Sequence, residues 1–467
     1  MDSMRRIKFT KKSKQRYEGV RYFFAFVLCF FVMSLPVILF AETTLSRLDL
    51  NTAYALAIEN NERTHIAAIE VAKNKLLLKK ANTLMMPRLA VEGFSSKASE
   101  AIEFEAEVAG YPLPPVETVP KDQLGGHFNF TQPIYEGEYF PLKRKAHQII
   151  EGALEHYGKA VQDILFNVAQ VYYEVLKARD LKNIAREIVK LNEEAFRVAK
   201  VRFDSGDVTK DVPLKAELDL AQAQNIVIKN TNQLKLTEDL LKRLIGVESK
   251  DFDLVEPLEK SRINISYDEF VKIALANRYD YKMALMNIQV AETNIAVAKS
   301  RFHPSFRGAW DYYKIDDPAF LEGDDYWIAE VRLVLPIFDG GMKYLNLKEE
   351  KENLKQARLE LEELKNDIMN QVENAFLAEA TDYSILQNLE KKIYLAVKNH
   401  KIILSKFMAG AAIILELNQA IALLDSAKTE IITNKYDYQM QLLMLERVTG
   451  IFAKDHVDKA LSALQEM

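Results

Sequence analysis

Seven histidines are the side chains of this 467-residue chain best suited to hold a metal or move a proton near neutral pH: His65, His127, His147, His156, His303, His400 and His456. No two lie three to five residues apart, so no helix turn or short loop would bring a pair onto one ion. Each therefore reads as a surface or packing residue. The single cysteine, Cys29, excludes a thiolate cluster and any intrachain disulfide. Gly340 and Gly341 follow an apolar run, but without the further glycine and lysine of a phosphate loop they read as a turn into a helix. No nucleophile, base and orienting residue cluster in a recognisable catalytic motif. The expectation is a non-enzyme with no catalytic residues, no metal and no cofactor.

The charge pattern points away from the cytoplasm. Arg5, Arg6, Lys8, Lys11, Lys12, Lys14, Arg16 and Arg21 precede an uncharged apolar run from Tyr22 to Phe40, which ends at Ala41 before Glu42. That is the layout of a secretory signal peptide over 1–41, with an uncleaved anchor helix as the rival reading. Cleavage near Ala41 removes eight of the 62 basic and two of the 67 acidic residues, leaving 54 against 65 and a net charge of −11. Such a balance argues against a nucleic-acid partner.

The rest of the chain is one unit written twice. Ala57-Ile58-Glu59-Asn60-Asn61 is answered by Ala274-Leu275-Ala276-Asn277-Arg278, and Pro87 by Pro304, at one offset. Gln132-Pro133-Ile134-Tyr135-Glu136-Gly137 is answered by Leu335-Pro336-Ile337-Phe338-Asp339-Gly340, and Phe203 and Gly206 by Phe407 and Gly410. Each copy reads helix, two strands, long helix, glycine turn, helix. The boundaries are 42–246 for the first repeat, 247–264 for an acidic and lysine-rich linker broken by Pro257, 265–450 for the second repeat and 451–467 for a tail.

Ile150, Leu154, Tyr157, Val161, Ile164, Val168, Val171 and Val175 alternate spacings of four and three, a heptad seam. Leu347, Leu354, Leu361 and Ile368 recur every seven residues, with Ala357 and Leu364 as a second column. Past Pro141 no proline interrupts the stretches Tyr139 to Phe203 and Lys343 to Phe407, so each predicts a helix of about 100 Å. Shorter helices are expected near Asp49 to Met86 and Val212 to Gly246. A rod-like structural coiled coil or a periplasmic adaptor would share these helices.

Strands separate the readings. Phe306, Gly308, Trp310 and Tyr312 alternate with Ser305, Arg307, Ala309 and Asp311; after the turn residues Glu322-Gly323-Asp324-Asp325, Trp327, Ala329, Val331, Leu333 and Leu335 alternate with Ile328, Glu330 and Arg332. In the first copy Phe128 and Phe130 alternate with polar residues, preceded by a strand around Leu89 to Ser96 and a loop through Pro112, Pro114, Pro115 and Pro120. Strands of about ten residues with one apolar face suit an outer-membrane barrel whose outside meets lipid; a soluble sheet over a core is the plain alternative. Four strands cannot close a barrel, which needs about eight or more, so the chain requires an oligomer of unspecified order.

The duplicated helix, hairpin, long helix and glycine-turn pattern resembles the TolC family of outer-membrane efflux proteins over essentially the whole chain after residue 41. The resemblance rests on Ala-x-x-Ile-Glu-Asn-Asn at 55–61, the proline opening a strand after each first helix, Pro336-Ile337-Phe338-Asp339-Gly340-Gly341 and the paired Phe-x-x-Gly turns. It implies an α+β membrane protein: a homotrimer with a twelve-stranded barrel in outer-membrane lipid and a coiled-coil helical tunnel in the periplasm. It implies as partners a periplasmic adaptor and an inner-membrane transporter, in tripartite efflux or type I secretion. On this resemblance Phe306, Trp310, Tyr312, Trp327, Phe128 and Phe130 face lipid. Arg202, Phe203, Gly206, Lys406, Phe407 and Gly410 form the adaptor-contacting tips. Glu416 falls on an acidic position ringing the tunnel entrance, where the next acidic position is Gln419, a tethering arginine is Ala412 and the tip tyrosine is Phe407. In the first copy Asp211 sits one place early, before Pro213.

Overall fold

The computed structural model describes residues 47–105, 107–108, 110–112, 116–119, 121–247, 252–260, 262, 265–316 and 325–466. The basic and apolar leader with its expected cleavage point, the prolines at 114, 115 and 120, and the turn residues Glu322-Gly323-Asp324 lie outside them. Arg47–Ser249 and Asp253–Met467 form one compact unit, which holds every element named below.

That unit opens with β1 (Arg47–Leu48), α1 (Leu50–Asn60) and α2 (Glu62–Asn82), followed by a short 3-10 turn at Thr83–Met85. Next come β2 (Arg88–Lys97), four short strands in the connecting loop, β3 (Ile102–Phe104), β4 (Glu107–Val108), β5 (Tyr111–Pro112) and β6 (Val116–Val119), then β7 (Asp122–Tyr135), α3 (Tyr139–Asp204) and α4 (Asp211–Leu244). After β8 (Asp253–Leu254) the order recurs with α5 (Tyr267–Asn277), α6 (Tyr279–Ser300), β9 (Ser305–Asp316), β10 (Asp325–Val334), α7 (Met342–Met408) and α8 (Ile414–Val448). The stretch expected as a tail folds as α9 (Lys454–Glu466), which buries Val457, Ala460 and Leu464.

α3 has 66 residues and α7 has 67, about 100 Å each at 1.5 Å per residue. On α3 the heptad seam from Tyr157 to Val175 is fully buried within the chain. On α7 only Ile368 of the corresponding leucine and isoleucine column is buried, while Leu347, Leu354 and Leu361 remain half-buried. The same apolar period therefore meets a complete partner surface in one long helix and an incomplete one in the other.

The first flanking helix is not continuous from Asp49 to Met86 but breaks at Asn61, and its counterpart breaks at Arg278. Asn61 is extended (φ −80, ψ 128) and caps α2 by accepting from Arg63 N–H at 3.0 Å. The break frees Asn60 and Asn61 to donate their amides to Ile245 O (3.1 Å) and Leu244 O (3.3 Å), carbonyls that α4 leaves unpaired at its end. At the second break Arg278 Nη1 donates to Val448 O at 3.1 Å. Each long helix thus runs beside two shorter ones set end to end, and the joints are closed by side-chain amides or a guanidinium on helix-terminal carbonyls. Gly450 (φ +75) is required here, because a Cβ would lie 2.7 Å from Arg278 N.

The segment between α4 and α5 is strapped to the helices. β8 pairs in parallel with β1, and Tyr172 Oη donates to Leu48 O and Val255 O. Lys435 meets Glu256 and Glu259, Lys260 meets Glu446, and Arg262 meets the buried Glu379 at 3.2 Å.

β2, β7, β9 and β10 form one antiparallel sheet in the order β10-β9-β7-β2. β2 and β10 are its edges, each ten residues long and paired on one side only among the described residues.

Candidate functional site

Two regions carry the residues singled out from the sequence: the paired helical turns, and the two faces of the sheet. In the first turn Gly206 takes φ +80, its N–H donates to Phe203 O at 3.0 Å, and Asp207 N–H donates to Arg202 O at 2.8 Å. In the second Gly410 takes φ +76, its N–H donates to Phe407 O at 3.2 Å, and Ala411 N–H donates to Lys406 O at 2.8 Å. A left-handed residue satisfies the last carbonyls and turns the chain, which is why glycine stands at both positions.

The two tips are joined to each other. Phe407 is 1% exposed, in an apolar core with Ala195, Val198 and Ala199 of α3, Ala216 of α4, Ala412, and Leu417 and Ile421 of α8. Arg202 crosses from the end of α3: its guanidinium lies 5.2 Å from the Phe407 ring centroid, Nη1 donates to Phe407 O at 3.2 Å, and Nε is 3.8 Å from Asp207. Phe203, which holds the corresponding position before Gly206 in the first turn, is 39% exposed, and Lys406 is exposed. Four helices thus pack as one bundle at the tips because small alanines face one another there and let a single phenylalanine fill the gap.

Further from the turns, Asn418 Nδ2 donates to Asp219 Oδ2 at 2.5 Å, Lys215 reaches Asp219 at 2.7 Å, and Lys428 pairs with Glu187. The Asn418–Asp219 and Lys428–Glu187 contacts cross between the hairpins and were not legible beforehand, since polar residues on a helix carry no periodic signal for a partner distant in the chain. Asn192, Lys215, Asp219, Asn418, Gln419 and Asp425 are among the residues around a cavity of about 340 Å³ between the hairpins. Burial raises the Asp425 carboxyl above its ordinary value, a shift partly offset by a hydrogen bond with Thr429. On α7, burial and then Lys428 push His400 down from the ordinary imidazole value.

Glu416 and Gln419 are exposed on the first turns of α8. Glu416 accepts the Ile413 N–H at 3.2 Å and so closes the N-terminus of its own helix. Ala412 is buried, with no guanidinium to extend, and Asp211 accepts from Thr209 Oγ1 in the first turn of α4.

In the sheet, Phe130 pairs with Leu89 and Trp310, Phe128 with Val91 and Tyr312, and Tyr312 with Trp327. Leu333 stands opposite Phe306. The register therefore brings Phe128, Phe130, Phe306, Trp310, Tyr312 and Trp327 onto one face, where Val91 is 78% and Trp327 65% exposed. Glu92, His127, Asn129, Thr131, Asp311 and Arg332 occupy the other. Among the described residues no helix is long and apolar enough to cross a membrane, and no three His, Cys, Asp or Glu side chains could hold a metal ion.

The sequence matches the outer membrane efflux protein family over residues 53–247 and 270–451, which covers both helix-strand-helix halves. The chain belongs to the outer membrane efflux protein family. It is an outer-membrane channel protein of the efflux and secretion class and not an enzyme. The alkaline protease secretion protein AprF of Pseudomonas aeruginosa is 22% identical over 427 residues, spanning 89% of this chain and 87% of that protein. The outer membrane protein TolC of Vibrio cholerae is 22% identical over 380 residues, 79% of this chain and 86% of its own. The outer membrane channel CmeC of Campylobacter jejuni superposes with a TM-score of 0.72 at 18% identity, covering 88% of this efflux protein and 89% of CmeC. The fold is that of such channels.

Proposed function

We propose that this efflux protein is one of three identical subunits of a passive conduit, with β2, β7, β9 and β10 crossing the outer membrane and the helices forming a tunnel in the periplasm. The observation that carries the reading is the sheet: four antiparallel strands, two edges without partners among the described residues, and one face of exposed aromatic and aliphatic side chains. An exposed edge and an exposed apolar face are costly in water. Pairing β10 of one copy with β2 of the next removes the edges, and lipid covers the apolar face. The half-buried α7 seam calls for a neighbouring copy in the same way. Two copies would supply eight strands and three would supply twelve, so closure requires an oligomer, and the family resemblance is what favours the trimer.

In this reading Arg202, Phe203, Gly206, Lys406, Phe407 and Gly410 make up the tips offered to a periplasmic adaptor, with Phe203 and Lys406 as the accessible side chains and Phe407 supporting them from within. Glu416 and Gln419 stand at the tunnel entrance, and an inner-membrane transporter supplies the energy for export. The similarity to AprF, an alkaline protease secretion protein, makes a polypeptide one candidate cargo. Chemical cross-linking of the protein purified in detergent tests the assembly: a ladder ending at three supports it, and a folded monomer would overturn it. Recovery with the outer membrane of a chain beginning near Glu42, read by mass spectrometry, tests the export step.

A further inference from the structure

The polar face of the sheet holds a feature that the channel reading does not use. Glu92 of β2, His127 of β7, Tyr313 of β9 and Tyr326 of β10 are partners in register, so they form one row across all four strands. The rings lie flat on one another: His127 and Tyr313 are 4.2 Å apart at 3°, Tyr313 and Tyr326 4.8 Å apart at 14°. One level nearer the helices, Asp311 Oδ1 accepts from Asn129 Nδ2 at 2.6 Å and bonds His127 Nε2 at 2.8 Å. Stacking and these two bonds fix the row in place.

Charge on this face is sorted by level. The upper two rows carry the carboxylates Glu92 and Asp311, and their only basic group is His127. The guanidiniums Arg88, Arg307 and Arg332 stand nearer the helices, where Arg332 is tied to Glu330 at 2.7 Å and Arg307 to Glu136 at 3.4 Å. We propose that Glu92, His127, Asp311, Tyr313 and Tyr326 form a cation-binding ring in the barrel lumen, which takes ammonium groups of passing cargo.

The inference rests on the trimeric-barrel reading. A twelve-stranded wall has a radius of about 12 Å, and three copies of a row with two tyrosines and a histidine narrow it. Carboxylates held in a constriction flanked by protein act through a lower effective dielectric than in bulk water, so they concentrate cations there. The tyrosine hydroxyls add acceptors for N–H donors.

The sole cysteine of the chain is Cys29, in the leader, so a thiol at the row reports on this level alone. The test uses Tyr326→Cys channels in planar bilayers, with cationic and anionic methanethiosulfonates added from the side of the β9–β10 turn. Current should fall several-fold faster with the cationic reagent, after correction for their rates with a free thiol. Adding Asp311→Asn, or the exposed and near-isosteric Glu92→Gln, should move that ratio towards one. A ratio at or below one, a ratio unchanged by both carboxylate variants, or no modification in a conducting channel would overturn the ring. Protein that never conducts would instead overturn the barrel reading on which the ring depends.

Discussion

Arg202 Nη1 donates to the carbonyl of Phe407 at 3.2 Å while the guanidinium lies 5.2 Å over the ring of the same residue. One side chain thus binds the end of the first long helix to the end of the second by two different interactions. Arg202→Ala should loosen the tip-to-tip joint by about 1–3 kcal/mol, the combined worth of a charge-assisted hydrogen bond and a cation–π contact. Single-channel recording checks this: the variant should conduct more, or fluctuate to larger openings, than the parent. Arg202→Lys should restore little, because an ammonium cannot both stack on the ring and reach the carbonyl.

Glu416 has a capping role within its own helix and a proposed role at the entrance, and the two separate by measurement. Glu416→Gln keeps an acceptor for the Ile413 N–H and removes the charge, so helix stability should change by less than about 1 kcal/mol. Cation selectivity, and block by multivalent cations from the tip side, should weaken. Unchanged selectivity and block in an assembled trimer would place the entrance at other residues.

Gly450 and Gly206 share a left-handed backbone but not their surroundings. A Cβ at Gly450 would meet Arg278 N at 2.7 Å and Asn277 C at 2.8 Å, whereas nothing lies within 4 Å of one at Gly206. Gly206→Ala should cost only the backbone term of about 1–2 kcal/mol. Gly450→Ala should cost more, because the backbone at the α5–α6 break must also move. Thermal unfolding followed by helical circular dichroism gives the comparison, with a lower midpoint for Gly450→Ala.

His400 predicts a pH dependence of definite sign. Burial, then Lys428, lowers its pKa in the folded protein, so the unfolded chain binds the proton more readily. The stability this contributes is complete above the unfolded value of about 6.5 and is lost as pH falls through the lower folded value. His456 is lowered by burial and Lys459 and has the same sign. Unfolding midpoints should therefore fall on acidification below about pH 6.5, and His400→Leu should remove part of that slope without removing it all.

The sequence by itself determined the two long helices and the four main strands, because helix and strand periods are local properties of which residues face the same way, whereas the short strands β3–β6 and the helix α9 carried no such legible period. It also placed Phe128, Phe130, Phe306, Trp310, Tyr312 and Trp327 at alternating positions, and register then needed only to align them on one face. The breaks at Asn61 and Arg278 were decided by tertiary structure, since each exists to bring side chains onto the end of a helix nearly two hundred residues away in the chain. The same holds for the tips. Phe203 and Phe407 occupy one motif, yet Phe407 is enclosed and Phe203 is open, because α8 contributes Leu417 and Ile421 to a shared core while α4 presents Ala216 to it. Arg202 gave no sign of its partner in sequence, because a guanidinium reaching across 205 residues has no period. Only the packing of four helices around one phenylalanine put it there.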